Sequence, residues 1–173
     1  RRRAEDELRA LSLVDSLTGL FNRRGFEAVA AQQLKGAEHT TKTSFLFYFD
    51  MNDFKAINDT WGHAAGDDAL VKMAAVLRQT FRETDVIARM GGDEFVALAL
   101  NCGEIARTVM SRLRSELAVQ NARNGLAGLG YTLSTGVGMA RFSPEAPRSL
   151  ETMLAVADRD LYEDKRLGGR ETA

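Results

Sequence analysis

The chain has 173 residues, 45% of them hydrophobic, which is enough for the core of one domain and too few for two domains of ordinary size. Because 23 Lys and Arg residues nearly balance 24 Asp and Glu residues, we expect no nucleic-acid partner held by a basic surface. A single cysteine, Cys102, excludes an internal disulfide and any cysteine-based metal cluster, and it fits a reducing compartment. The longest apolar run, residues 45–49, is far shorter than the roughly 20 residues of a membrane-spanning helix.

The first predicted element is an amphipathic connector helix over residues 1–14, where apolar residues recur at helical spacing between charges. The sequence begins with Arg1 rather than methionine, so we expect this helix to be a stalk that joins the domain to an upstream sensory domain of a longer protein. The turn-rich stretch DSLTGLFNRRG follows. A first domain helix is then predicted by the i, i+3, i+4, i+8 spacing of Phe26, Val29, Ala30 and Leu34.

Strands alternate with helices in the rest of the chain. The aromatic-rich stretch SFLFYFD predicts a buried strand that ends at Asp50, and an apolar stripe predicts a helix over residues 66–81. The segments DVIARM and EFVALAL flank Gly91 and Gly92 and predict a β-hairpin, because both glycines can adopt the positive φ of a tight turn. The remaining predicted elements are a helix over residues 105–117, a strand within residues 131–140 and a helix over residues 150–161.

This order predicts an α+β fold of the ferredoxin-like type, with an antiparallel central sheet of strand order 4-1-3-2 flanked by helices. The first strand then runs antiparallel to the third, so Asp50 and Asp93 lie at the same edge of the sheet. Neighbouring strands are roughly 4.8 Å apart, which allows two carboxylates to share a cation such as Mg²⁺. Two glycines followed by acids are by themselves also typical of a solvated turn. The convergence with Asp50 is what favours a metal site.

A second polar cluster, FDMNDFKAINDTWGHAAGDDAL, follows the first strand. It is not an EF-hand loop, because Phe54 stands where an oxygen ligand is needed and Lys55 where a glycine is needed. A short helical turn remains, and its backbone N–H groups at these two residues can hold phosphate oxygens. Asn58 and Asp67 together offer the acceptors and donors that complement a guanine edge, although each alone is more often a helix cap.

The sequence resembles the GGDEF domain, the diguanylate cyclase family. The blocks that carry the resemblance are DSLTGLFNRRGF, the second polar cluster, RMGGDEF, LSTGVG and ADRDLYEDKRLGGR. They are spread over nearly the whole chain from Asp15 onward, so the predicted domain is residues 15–173. The resemblance implies a fold like the palm of nucleotide cyclases, and a reaction that condenses two GTP molecules into cyclic di-GMP with release of two pyrophosphates. It also implies a homodimer in which each subunit holds one GTP, and a domain that works in the cytoplasm. Whether the parent protein is soluble or membrane-anchored is left open.

The same resemblance assigns roles to individual residues. Asp50, the carbonyl of Met51 and Asp93 are expected to bind Mg²⁺ or Mn²⁺. Asp93 and Glu94 are the expected catalytic residues, with Glu94 deprotonating or orienting the attacking 3′-hydroxyl. The expected substrate-binding residues are Asn58 and Asp67 for guanine, Phe54, Lys55 and Lys165 for the triphosphate, and the turn glycines Gly91 and Gly92.

A product-inhibition site is also implied. Residues 82–85, RETD, resemble the RxxD motif of the family, so Arg82 and Asp85 are expected to bind cyclic di-GMP with help from Arg112. By itself this motif is more often a surface ion pair at a helix end. Two departures from the family pattern stand out: Asn52 replaces a frequent aspartate, which predicts weaker metal binding, and Arg170 is displaced by one residue. The alternative to an enzyme is a catalytically silent GGDEF module that senses GTP or cyclic di-GMP.

Overall fold

The computed structural model describes residues 12–40, 42–100 and 105–166. Its strands are β1 (Ser44–Met51), β2 (Val86–Gly91), β3 (Glu94–Ala99) and β4 (Thr135–Phe142). Its helices are α1 (Arg23–Ala37), α2 (Phe54–Trp61), α3 (His63–Thr80), α4 (Ile105–Leu126) and α5 (Leu150–Arg166). The strands form one antiparallel sheet in the order β2-β3-β1-β4, so the predicted order 4-1-3-2 and the α+β fold class are confirmed.

Both faces of the sheet are covered, which explains why β1 is apolar at almost every position. Successive side chains of a strand point to opposite faces. Leu46 and Tyr48 pack with the buried residues of α1 and α5, whereas Phe47 and Phe49 pack with those of α3 and α4. The central strand β1 is therefore fixed on two sides, and the polar residues at its end are held on a rigid support.

Helix α5 packs directly on the backbone of β4 because two positions of that strand lack a side chain. A Cβ added at Gly138 would lie 2.0 Å from the carbonyl oxygen of Ala157 and 2.4 Å from the backbone nitrogen of Leu161, so only glycine fits there. Gly136 is similarly crowded by Leu161 and Lys165. This close approach carries the last turn of α5 to the end of β1.

The structure corrects several predicted boundaries. Most of the predicted connector helix falls on residues outside the described ranges, and its last position, Val14, forms an isolated antiparallel bridge with Phe21 instead of a helix. Helix α3 begins at His63 rather than at residue 66. Cys102 and Arg170 also lie outside the described ranges. None of the helices in those ranges combines the length and apolarity that crossing a membrane requires.

The fourth strand also begins later than predicted, at Thr135 rather than at residue 131. The reason is a side chain of α4 that binds the backbone of the preceding segment. The N–H of Leu133 donates to Oδ1 of Asn121 at 2.7 Å, and Nδ2 of Asn121 donates to the carbonyl of Leu133 at 2.8 Å. The alternating apolar pattern of residues 131–134 thus reflects packing against a helix and not a strand ladder.

Candidate active site

The pairing of β1 with β3 and β4 brings the predicted acidic residues to one edge of the sheet. Asp50 lies directly opposite Glu94 on β3 and opposite Gly136 on β4. The N–H of Met51 donates to the carbonyl of Asp93 at 3.1 Å, so the hairpin turn is tied to the end of β1. The convergence of Asp50 and Asp93 expected from the sequence is therefore observed.

A cavity of about 650 Å³ opens at this edge. It is formed by the end of β1, the start of α2, the hairpin turn, the start of β4 and the end of α5. Its lining residues are Asp50, Met51, Asn52, Asp53, Phe54, Lys55, Asp93, Ser134, Gly136, Asp164 and Lys165. Six of these were predicted as metal or phosphate ligands, so the sequence identified most of the charged lining. Glu94, Gly91 and Gly92 belong to the hairpin that borders the cavity.

The electrostatics of the cavity favour a bound cation. Burial raises the pKa of Asp93, and the negative charge of Asp50 raises it further. Within residues 12–40, 42–100 and 105–166, no group of three or more His, Cys, Asp and Glu side chains is arranged to hold a metal ion. The expected ligands in the cavity lining, the carboxylates of Asp50 and Asp93 and the carbonyl of Met51, are all oxygen donors. Such a set fits Mg²⁺ or Mn²⁺, which take oxygen ligands and keep positions for water and phosphate.

The start of α2 supplies backbone donors to the same cavity. Asp53, the residue before the helix, has a left-handed backbone with φ of 55°, and no side chain caps the helix. Phe54 and Lys55 follow it and line the cavity. Because the first N–H groups of a helix have no partner within the helix, they suit phosphate oxygens.

Glu94 has a partner that the sequence did not reveal. The hydroxyl of Tyr48 donates to Oε2 of Glu94 at 3.3 Å. Burial, together with the negative charge of Glu94, raises the pKa of Tyr48 to about 12, so the hydroxyl stays protonated and keeps donating at neutral pH. In the sequence Tyr48 is one of several aromatic residues in SFLFYFD, and only the register with β3 distinguishes it.

Lys165, from the last turn of α5, lies beside Asp50 in the cavity lining. Its Nζ contacts Oδ1 of Asp50 in an ion pair, and its side chain passes over Gly136. The residue was predicted as a triphosphate ligand, and the structure pairs it with a predicted metal ligand. Nδ2 of Asn52 donates to Oγ of Ser134 at 3.0 Å.

The predicted guanine ligands lie together but outside this cavity lining. The side chain of Asn58 covers Gly66, where an added Cβ would lie 2.0 Å from Oδ1 of Asn58. Asp67 is the next residue, and it is exposed. It lies inside α3, whose cap position is Gly62, so its alternative interpretation as a helix cap is wrong.

Comparisons with known proteins identify the family. The family model described as "Diguanylate cyclase, GGDEF domain" matches residues 12–171. The chain belongs to the GGDEF family. It is 36% identical over 166 residues to the probable diguanylate cyclase DgcC of Escherichia coli (strain K12), covering 95% of this chain and 44% of that protein. It is 32% identical over 167 residues to the cyclic di-GMP phosphodiesterase NbdA of Pseudomonas aeruginosa, covering 95% of this chain and 21% of that protein.

A solved GGDEF structure has the same fold as this chain. The coiled coil and GGDEF domain of DgcB from Caulobacter crescentus, in complex with c-di-GMP, superposes with a TM-score of 0.77 at 28% identity, covering 97% of this chain and 88% of that one. The antiparallel sheet flanked by helices is thus the fold of the family, as the resemblance implied. The chain spans less than half the length of the two curated relatives.

The GGDEF motif is preceded by an arginine that fixes the turn. Nε and Nη2 of Arg89 donate to the carbonyl of Gly92 at 2.9 and 2.8 Å, and Nη1 lies 3.3 Å from a carboxylate oxygen of Asp15. Arg89 therefore joins the turn that carries Asp93 to the DSLTGLF segment. No role for Arg89 was predicted from the sequence, although its position directly before Met90 and the two glycines was a usable signal.

The RETD segment of this GGDEF domain borders a second cavity, of about 420 Å³, that Arg82 and Asp85 line together with Leu20 and Phe21. The Asp85 carboxylate accepts from the N–H of Arg82 at 2.8 Å and of Leu100 at 3.2 Å. Asp85 thus binds backbone, and the exposed side chain of Arg82 lies beside the cavity.

Arg112, the expected helper, is not brought to this second cavity. It does not line the cavity, and its Nη1 donates to the carbonyl of Thr80 at 2.9 Å. The bond holds the end of α3 against α4. Arg112 therefore has a structural contact that the motif did not predict.

Proposed function

We propose that this domain is a diguanylate cyclase that condenses two GTP molecules into cyclic di-GMP and two pyrophosphates. The observation that carries the proposal is the meeting of Asp50 and Asp93 in one cavity beside the start of α2. The name of the relative DgcC supports the same reaction. GTP is a cytoplasmic nucleotide, so we expect the domain to face the cytoplasm.

The chemistry is a phosphoryl transfer that depends on charge neutralisation and positioning. A divalent ion, Mg²⁺ or Mn²⁺, would be held by Asp50, Asp93 and the Met51 carbonyl, and when bound it would supply positive charge to the α- and β-phosphates. The backbone N–H groups at Phe54 and Lys55 would bind the remaining phosphate oxygens. These groups would hold the α-phosphate in place for attack.

The nucleophile and the base would be positioned by other residues. Asn58 and Asp67 would bind the guanine edge, and Gly91 and Gly92 leave space for the sugar because they carry no side chain. Glu94, held by the Tyr48 hydroxyl, would accept the proton of the attacking 3′-hydroxyl. One domain holds one GTP in this scheme, so the second GTP must come from a facing copy, and catalysis requires a homodimer.

Product inhibition is a separate part of the proposal. We propose that the second cavity binds cyclic di-GMP through the exposed guanidinium of Arg82 and that Asp85 shapes the site by fixing the backbone around it. The DgcB structure, which contains c-di-GMP, supports binding of this product by a GGDEF domain.

A second candidate function is a GGDEF module that binds GTP or cyclic di-GMP without making product. The match to a phosphodiesterase, NbdA, favours it, because a chain similar to this one also occurs within a protein named for the opposite reaction. In this chain Asp93 and Glu94 are both present, which favours synthesis.

Forced dimerisation separates the two functions. The domain is fused to a dimeric coiled coil, incubated with GTP and Mg²⁺, and the products are separated by chromatography and identified by mass spectrometry. The Glu94→Gln variant, which keeps the size of the side chain, is the matched control. Cyclic di-GMP from the wild type and none from the control supports the cyclase. GTP binding without product in the forced dimer would overturn it in favour of the sensor.

A further inference from the structure

Lys165 reaches Asp50 along a path that the fold provides. Gly136 is the cross-strand partner of Asp50, and a Cβ at Gly136 would lie 2.9 Å from Cε of Lys165 and 2.9 Å from Cδ1 of Leu161. The missing side chain at Gly136 therefore lets the lysine stem lie flat on β4. At the end of this path Nζ of Lys165 contacts Oδ1 of Asp50.

The ammonium group thus lies on a carboxylate that the proposed metal ion also needs. Two cations on one carboxylate repel each other, and the repulsion grows as solvent is excluded. The two side chains are partly shielded, with 38% of Lys165 and 28% of Asp50 exposed. A divalent ion held by Asp50 and Asp93 would have to compete with Lys165 for the Asp50 carboxylate.

We propose that Lys165 is an internal counter-ion of Asp50 that a divalent ion displaces, and that the released ammonium then binds the nucleotide phosphates. This inference rests on the proposed function, because it concerns the same metal and GTP. It gives Lys165 two successive partners, a carboxylate before metal binding and a phosphate after it. Lys165 would then disfavour metal without nucleotide and favour metal with nucleotide.

The surroundings of Lys165 are consistent with such a transfer. Lys165 lines the same cavity as Phe54 and Lys55, whose N–H groups are the proposed phosphate ligands. The positive charge of Lys165 also lowers the pKa of Asp93, in opposition to burial and to Asp50, so its charge acts on both proposed metal carboxylates. The four-carbon stem of lysine is flexible, so its ammonium group can exchange one partner for another.

The test compares metal binding and nucleotide binding in the Lys165→Met variant. Mn²⁺ binding to the nucleotide-free protein is followed by electron paramagnetic resonance, and binding of 3′-deoxy-GTP, which lacks the attacking hydroxyl, by titration calorimetry. We expect Lys165→Met to bind Mn²⁺ alone about two- to fivefold more tightly, the range of a partly exposed ion pair, and to bind 3′-deoxy-GTP more weakly. Opposite changes in the two affinities are the signature of an exchanged partner.

Two further variants separate the contact from the charge. Lys55→Met removes the same charge from the same cavity, and we expect it to weaken 3′-deoxy-GTP binding with little change in Mn²⁺ affinity. Gly136→Ala keeps the lysine charge but obstructs its path, so it should tighten Mn²⁺ binding in the same direction as Lys165→Met. Circular dichroism checks that Gly136→Ala is folded. If Gly136→Ala is unfolded, the inference is tested by Mn²⁺ binding to Lys165→Met alone.

The inference would be overturned if Lys165→Met bound Mn²⁺ as tightly as the wild type or more weakly. It would also be overturned if Lys165→Met and Lys55→Met increased the Mn²⁺ affinity equally. Because Mn²⁺ binding is measured without turnover, that result would leave the cyclase proposal standing. Conversely, a forced wild-type dimer that makes no cyclic di-GMP would overturn the cyclase while the Mn²⁺ result still decided the role of Lys165.

Discussion

Asp50 on β1 and Glu94 on β3 are direct cross-strand partners in the antiparallel sheet. Like charges in this position destabilise a sheet, and an ordinary strand pair would avoid them. The neighbouring pairs, such as Phe49 with Phe95, are apolar and buried, so the core holds the two acids in place. The two neighbouring carboxylates reduce the stability of the sheet at this point. Such a local loss of stability is expected at a site that binds a cation.

The Asp93→Asn variant should make no detectable cyclic di-GMP and should unfold at the same temperature as the wild type or slightly higher. The substitution removes one proposed metal ligand, and it also removes a charge that Asp50 opposes. Product is measured in the forced dimer, and stability by thermal unfolding of the same preparation. A clearly lower melting temperature would mean that Asp93 has a structural role, and the loss of activity would then say little about the metal.

The Tyr48→Phe variant should lower kcat roughly fivefold to tenfold with little change in KM for GTP, because it removes the donor that holds Glu94 and keeps the buried ring. Tyr131→Phe is the matched control, since it also removes a hydroxyl that donates to a carboxylate, Asp68, at 2.6 Å, outside the lining of the active-site cavity. An equal fall in kcat in both variants would point to a general loss of stability instead.

The Asp15→Asn variant should be less stable at neutral pH, and the difference should depend on pH. Burial alone would raise the pKa of Asp15, but hydrogen bonds from Thr18 and the charge of Arg89 outweigh it and hold the pKa below 3.8. A carboxylate whose pKa is lowered by folding stabilises the folded state at any pH above its pKa in the unfolded chain. This stabilisation is lost as the pH falls through the pKa of the carboxylate in the folded protein.

The gap in melting temperature between wild type and Asp15→Asn is therefore expected to be largest near pH 7 and to narrow as the pH falls below 3.8. Thermal unfolding over a series of buffers measures it. A gap that stays constant across the series would show that shape, and not charge, accounts for the effect of Asp15.

The Arg82→Ala variant should keep its initial rate and lose inhibition by added cyclic di-GMP, because the exposed guanidinium borders the second cavity and not the active-site cavity. Arg112→Ala is the control. Its side chain bonds to Thr80 instead of lining the cavity, so it should lower the melting temperature and leave inhibition in place. Unchanged affinity of Arg82→Ala for cyclic di-GMP would refute the assigned inhibitory site.

Much of this arrangement could be predicted from the sequence because its signals are local. The order of elements determined the sheet order, and the sheet order determined that Asp50 and Asp93 would meet. Residues 131–134 were mistaken for strand because a side chain of α4, Asn121, can bind the backbone as a neighbouring strand would.

The contacts that the sequence could not reveal join segments distant in the chain. The hydroxyl of Tyr48 can donate to Glu94 only because of the register in which β1 pairs with β3. Lys165 contacts Asp50 only because α5 packs closely on β4 at Gly136. Neither spacing within a motif nor residue type predicts such contacts, since they depend on how closely two elements pack.

The most direct test of the proposed metal site is anomalous diffraction from crystals grown with Mn²⁺ and 3′-deoxy-GTP. We predict a Mn²⁺ peak within about 2.3 Å of carboxylate oxygens of both Asp50 and Asp93, with a phosphate oxygen in the same coordination sphere. A peak held by the nucleotide phosphates alone, with the two carboxylates pointing elsewhere, would contradict the account.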